Sequence, residues 1–211
     1  MNFISMMNMK LGLRSFFFYE LSIGKRISSV DPEDCFPEER ILVTLDVGKK
    51  GDPYGTSLQE MLLLLMLATQ NDTRNIFEFG TFLGQTAYNL SLNIPGRIYT
   101  LALPSEQMVR KVWENQPQKA QITALHGDSS TFDFEPFVGQ MELVFVDGDH
   151  SYQGCRIDTQ NALKMVRKGG LVVWHDYAPC WPGVVRTLND LSKEILLLHL
   201  RHTSLVIHRR K

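Results

Sequence analysis

From about Gly55 onward, the hydrophobic pattern of this 211-residue chain alternates between two kinds of segment. Short apolar runs without polar alternation recur in "NIFEFG", "RIYTLAL", "QITALHGDSS", "LVFVDGDH" and "GGLVVWHDY". Such runs suit strands covered on both faces. Between them lie stretches that read as helical: Leu83 to Leu92, Ser105 to Trp113, Tyr152 to Arg167 and Val184 to Leu191. A heavily buried helix is expected over "TSLQEMLLLLMLAT", capped by Thr56 or Ser57, with Glu60 near its first turn. Strand and helix taking turns predicts an α/β fold, a doubly wound parallel sheet with right-handed crossovers. The rhythm breaks at "EILLLHLRHTSLVIHRRK", where two extended runs flank a short polar turn and predict an antiparallel hairpin at a sheet edge.

Residues 1–54 show no clean periodicity and include the acidic turn-forming stretch "DPEDCFPEER". They read as a lead-in or cap that runs into the Gly/Pro loop "GKKGDPYG", with residues 55–211 as the main domain. The Met-rich opening is apolar in patches, but Lys10, Arg14 and Glu20 interrupt it. A spanning helix needs roughly 18 to 20 apolar residues, and no small-residue cleavage site is present. No stable membrane insertion is expected, and the first segment reads as peripheral or dimer-forming, in a homo-oligomer.

Charge and cysteine content narrow the partners further. The 22 basic residues balance 23 acidic ones to a net charge of −1, which gives no footprint for nucleic acid or an anionic membrane. A small or neutral partner fits better. Cys35, Cys155 and Cys180 form neither a disulfide framework nor a C-x-x-C metal motif, so a reducing, cytoplasmic setting is expected.

Ligands of open α/β sheets bind beyond the carboxyl ends of the strands. The polar clusters fall there: Glu78 to Gly84, His126 to Ser130, Asp147 to His150, and His175 to Tyr177. In "EFGTFLGQT", Gly80 permits a tight turn and close ligand approach, and Gly84 sits where the next helix begins, although a plain strand-to-helix turn also uses two glycines. Asp147 and Asp176 end neighbouring strands, so they either bond loop N–H groups or converge on a hard divalent cation such as Mg²⁺. His150, three residues past Asp147, has the ordinary pKa of a base near neutrality. Asp149 reads as the cap of the helix beginning near Tyr152. Tyr152, Trp174, Tyr177 and Trp181 serve either an acceptor pocket or the core.

Taken in order, "EFGTFLGQT", "HGDSS", "FVDGDHSY" and "GGLVVWHDY" resemble the class I S-adenosylmethionine-dependent methyltransferases. The closer likeness is to macrocin-type sugar O-methyltransferases and cephalosporin-hydroxylase-like proteins, over about Gly55 to Lys211. The resemblance implies a mostly parallel, seven-stranded Rossmann-like sheet ending in an antiparallel hairpin. It implies that Glu78, Gly80, Thr81 and Gly84 surround the methionine part of S-adenosylmethionine, with Asp128 and Ser129 beside the adenine and Asp147 also at the cofactor. An Asx or Ser turn is the other reading of Asp128 and Ser129. It further implies Asp147 and Asp176 as ligands of a divalent cation, Mg²⁺, and His150 as the base. His175 stands where relatives often have a second carboxylate, and an imidazole there leaves the shell to water or favours Mn²⁺, Zn²⁺ or Fe²⁺.

One position departs from the pattern. "YTLALP" places Ala102 where relatives carry the acidic residue that binds the ribose, with Glu106 in the next turn as the substitute on offer. The expectation is metal-assisted O-methylation of a small-molecule hydroxyl. The alternative, motivated by Ala102, is a catalytically silent relative that binds a ligand or acts as a subunit. A nicotinamide-dependent oxidoreductase would need a glycine spacing that this chain lacks.

Overall fold

The computed structural model describes residues 27–36, 41–47, 56–71, 73–107 and 109–211, apart from the side chain of Glu106. The opening segment, the loop 48–55 and the Glu106 carboxylate thus lie outside the described residues.

β5 (Met141–Val146) explains why the apolar runs do not alternate. Leu143 and Phe145 enter one buried cluster, while Val144 and Val146 enter a second on the other side of the sheet. α1 (Leu58–Gln70) and α2 (Gln85–Asn93) cover the first face; α3 (Tyr152–Met165) and α4 (Pro182–Leu191) cover the second. With neither face of β5 left to water, its positions are free to be apolar.

The remaining strands are β1 (Ser28–Val30), β2 (Asn75–Phe79), β3 (Arg97–Ala102), β4 (Ile122–His126), β6 (Val166–Trp174), β7 (Leu198–Leu200) and β8 (Val206–Arg209). They form one eight-stranded sheet in the order β1-β7-β8-β6-β5-β2-β3-β4. Only β8 runs antiparallel to its neighbours. The seven expected strands are β2 to β8, including the C-terminal hairpin. β1 is an addition from the lead-in, paired in parallel with β7 from Ser28 opposite Leu198 to Val30 opposite Leu200. It covers the edge that the hairpin was expected to form. Three residues leave no period to read.

Residues 41–47 lie along α2, held by side chains that act as a substitute strand. Asn93 accepts from Thr44 N at 2.6 Å and donates to Thr44 O at 2.7 Å. Asn89 makes the same pair of bonds with Asp46, at 2.7 and 3.1 Å. No described helix is long and apolar enough to cross a membrane.

Ser57, one of the two expected caps, accepts from Glu60 N at 3.3 Å and starts α1. Among the described residues, the helix expected over Ser105 to Trp113 does not form. A short 3-10 turn at Pro104–Glu106 leads into a series of turns. Val109 and Val112 are exposed, and the buried members are Trp113 and Lys111, so no continuous apolar stripe docks on the sheet.

The central strand β2 carries a carboxyl group into the core. Glu78 is 1% exposed and accepts a hydrogen bond from Thr100 Oγ1, which also lies 2.7 Å from Thr81 Oγ1. Burial pushes its pKa from an ordinary 4.5 up to about 8, against the pull of the Thr100 bond. A buried acid that keeps its proton contributes fully below the unfolded-state value and loses that contribution as pH rises through the folded one. Without ligand, unfolding free energy should therefore fall between pH 4.5 and about 8. At about 1.4 kcal/mol per pKa unit, the loss amounts to several kcal/mol. Glu78→Gln should flatten that slope in urea titrations across the window; parallel profiles for the two proteins would refute the assignment.

Candidate active site

The hydrogen-bond ladder runs past the ends of the central strands and gathers their loops. Gly80 N donates to Leu101 O at 2.9 Å, Asp147 N to Phe79 O at 3.0 Å, and His175 N to Val146 O at 3.1 Å. Gly80 has φ +91°, and a Cβ there would fall 2.0 Å from Asp147 O. Glycine is therefore needed both for the backbone angle and for the approach of the β5 end. Gly84, at φ +83°, caps α2 beneath the Trp113 ring.

These ends border a cavity of about 860 Å³, within the range of small-molecule sites. Of the residues singled out in the sequence, Gly80, Thr81, Asp128, Ser129, Asp147, His150, His175 and Asp176 line it. Glu78 and Gly84 are not in the wall: the first is enclosed in the core, the second packed under Trp113. Ala102 is in the wall beside Leu103. The Asp128 carboxylate accepts from Ser130 N at 2.8 Å and Ser130 Oγ at 2.6 Å, the Asx turn that was the other reading. Those bonds hold its pKa below the ordinary range.

The charged side of the cavity is built by β5 and β6. His175 Nδ1 lies 3.1 Å from Asp147 Oδ1 and 3.3 Å from Asp176 Oδ1. His150 Nε2 lies 2.7 Å from Asp176 Oδ2, and its ring stacks on Trp181 at 4.0 Å. Asp176 adopts φ +63°, unusual for a residue with a side chain, and its amide donates to Ser204 Oγ at 3.2 Å. Asp147, His175 and Asp176 each offer a ligand atom within 4.8 Å of the others.

Burial works against charge on His175, yet the bonds to Asp147, Asp176 and Glu60 raise its pKa well above 6.5. For His150, the Asp176 bond is the largest influence and raises the pKa, with burial opposing. Burial would raise Asp176, but the two imidazoles hold it well below the ordinary carboxylate range.

Two members escaped the sequence reading. Glu60 was read only as a first-turn acid, and Ser57 does donate to its Oε2 at 2.6 Å. The same carboxylate also reaches His175 Nε2 at 3.3 Å, and its Oε1 accepts from Ser204 N and Oγ at 2.6 and 2.7 Å. Asp158 sits 2% exposed in the cavity wall, and burial raises its pKa to about 6. Its signal was an acid on the buried stripe formed with Cys155, Thr159 and Ala162.

One expectation needs correction. Ser151 caps α3 by accepting from Gly154 N at 3.0 Å, whereas Asp149 bonds Ser151 N one step earlier. Of the four aromatics read as pocket or core, Trp181 lines the cavity and the other three do not. Trp174 is fully buried and donates to Thr159 Oγ1, Tyr177 donates to Asn189, and Tyr152 lies under Arg186.

Residues 77–177 match the family described as a methyltransferase domain. No curated protein matches the chain. Among solved structures, the O-methyltransferase TomG from Streptomyces achromogenes, in complex with SAM, is 20% identical with a TM-score of 0.59 over 74% of this chain and 81% of its own. An SAH-bound methyltransferase from Podospora anserina is 14% identical, at 0.63 over 74% and 80%. An O-methyltransferase from Bacillus cereus in complex with SAH is 19% identical, at 0.59 over 74% and 81%. These likenesses show a shared fold. Residues 77–177 are thus similar to a methyltransferase domain, within a sheet that shares the fold of these solved methyltransferases.

Proposed function

We propose that this chain transfers a methyl group from S-adenosylmethionine to a hydroxyl of a small molecule, assisted by a divalent cation. The observation that carries the reading is the convergence of Asp147, His175, Asp176 and His150 on one side of the cavity, beside the glycine turn of β2. Solved relatives bound to SAM or SAH support the donor.

The residues fit a cation. Two ligands at right angles, each about 2.1 Å from an ion, stand about 3 Å apart. His175 Nδ1 has such spacings, 3.1 and 3.3 Å, to one oxygen of each aspartate. Asp147, Asp176 and His175 would hold the ion, which supplies positive charge to steady the developing alkoxide. Mg²⁺ suits the carboxylates; the imidazole shifts preference toward Mn²⁺, Zn²⁺ or Fe²⁺.

The other residues place and deprotonate. Gly80 lets a ligand lie against backbone, with Thr81 beside it and Asp128 and Ser129 farther along the wall. His150 is one-third exposed, so its ring is open to the cavity while Asp176 and Trp181 fix its plane. Nε2 is engaged by Asp176, which leaves Nδ1 to accept the hydroxyl proton. Holding donor and acceptor in line supplies much of the acceleration.

His150→Ala should keep SAH affinity and lose about 10²- to 10⁴-fold in methyl transfer, measured with labelled S-adenosylmethionine on sugar, catechol and polyketide hydroxyls. Undiminished transfer removes His150 from the chemistry. Ala102→Asp should tighten SAH binding about 10- to 100-fold in calorimetry, since a hydrogen bond to a charged group is worth roughly 1.5 to 3 kcal/mol. Unchanged affinity would place the ribose elsewhere than over Ala102.

A further inference from the structure

We propose that Glu60, on a helix that precedes the matched domain, is a positioning residue that fixes His175 as a nitrogen ligand and thereby biases the site toward cations that accept nitrogen. The inference rests on the metal reading above.

The imidazole has two ring nitrogens and both are engaged. Nδ1 faces Asp147 Oδ1 and Asp176 Oδ1, whereas Nε2 faces Glu60 Oε2 at 3.3 Å. Ligation through Nδ1 requires that nitrogen to be bare, with the ring proton on Nε2. A carboxylate beside Nε2 accepts that proton's hydrogen bond and selects this tautomer.

Glu60 is fixed independently of His175. Three donors hold it: Ser57 Oγ on Oε2, and Ser204 N and Oγ on Oε1. Ser204 Oγ in turn accepts from Asp176 N. One serine therefore ties the orienting carboxylate to the backbone of a proposed ligand. The helix cap alone would need only Ser57. An acid 9% exposed, aimed at the far nitrogen of a histidine, is an arrangement that capping does not require.

Glu60→Gln is the discriminating variant. Its amide oxygen can still accept from Ser204, but its NH₂ would face His175 Nε2 and favour the opposite tautomer, with Nδ1 protonated. Co²⁺ titration followed by visible absorption, with Mn²⁺ and Mg²⁺ as competitors, should show Co²⁺ affinity falling about 10- to 100-fold in Glu60→Gln. Mg²⁺ affinity should fall less, so the Mn²⁺/Mg²⁺ preference narrows. His175→Ala should lose at least as much, and Glu60→Gln should add nothing in that background. A further loss in the double variant, or equal Co²⁺ affinity in Glu60→Gln and the parent, overturns the proposal. Should Glu60→Gln fail to fold, nitrogen-15 histidine spectra of the Zn²⁺-loaded parent test the same point. A His175 proton on Nε2 is expected, and one on Nδ1 refutes it. If the parent binds no Co²⁺, Mn²⁺ or Zn²⁺ at millimolar concentration, the metal reading itself falls.

Discussion

The parallel pairing of β5 with β6 is the constraint on which the site depends. Val146 stands opposite Trp174, and the next bond, from His175 N to Val146 O, carries the pairing one step past the strands. That step sets Asp147 against the His175–Asp176 pair. Strand pairing fixes backbone positions because each ladder bond must be made in a dry core. The chain thus spends no loop flexibility on bringing its acids together. The turn leaving β6 then aims Asp176, in a left-handed conformation, at His150.

The adjoining wall is shaped by absence of side chains. Gly80 and Asp147 meet backbone to backbone, so the glycine loop and the charged loop are one packed unit. A residue larger than glycine at position 80 would push the β5 end, and with it Asp147. The glycine-turn side and the acidic side are coupled through this contact, while α1 contributes through Glu60 from the face of the sheet that it covers.

What the sequence disclosed follows from periodicity and proximity along the chain. Unbroken apolar runs announced doubly covered strands, and each polar cluster lay within a few residues of a strand end. Asp147 with His150, and His175 with Asp176, were legible for that reason. Glu60 was not, because its link to His175 spans 115 positions and has no local pattern. Ser57 and Glu60 also made a complete helix cap, which hid the second role. β1 was too short to show a period, and the stretch after Ala102 had apolar spacing without a face to bury it on. The turn at Asp128 shows the reverse problem: a local motif satisfied itself and still ended in the cavity wall.

His175 also settles a charge problem. Asp147, Asp176 and Glu60 place three carboxylates around a mostly buried space. A fourth acid at position 175 would add like-charge repulsion where water is scarce, and would leave Glu60 without an opposite partner. An imidazole answers both sides at once. With an ion between the ring and the two aspartates, it would offer a neutral lone pair there and an N–H toward Glu60. A doubly charged ion would then be balanced by Asp147 and Asp176 alone, with Glu60 compensated by the ring and by three hydrogen bonds from two serines. On this account the histidine and the distant glutamate belong to one device. Neither makes electrostatic sense in this pocket without the other.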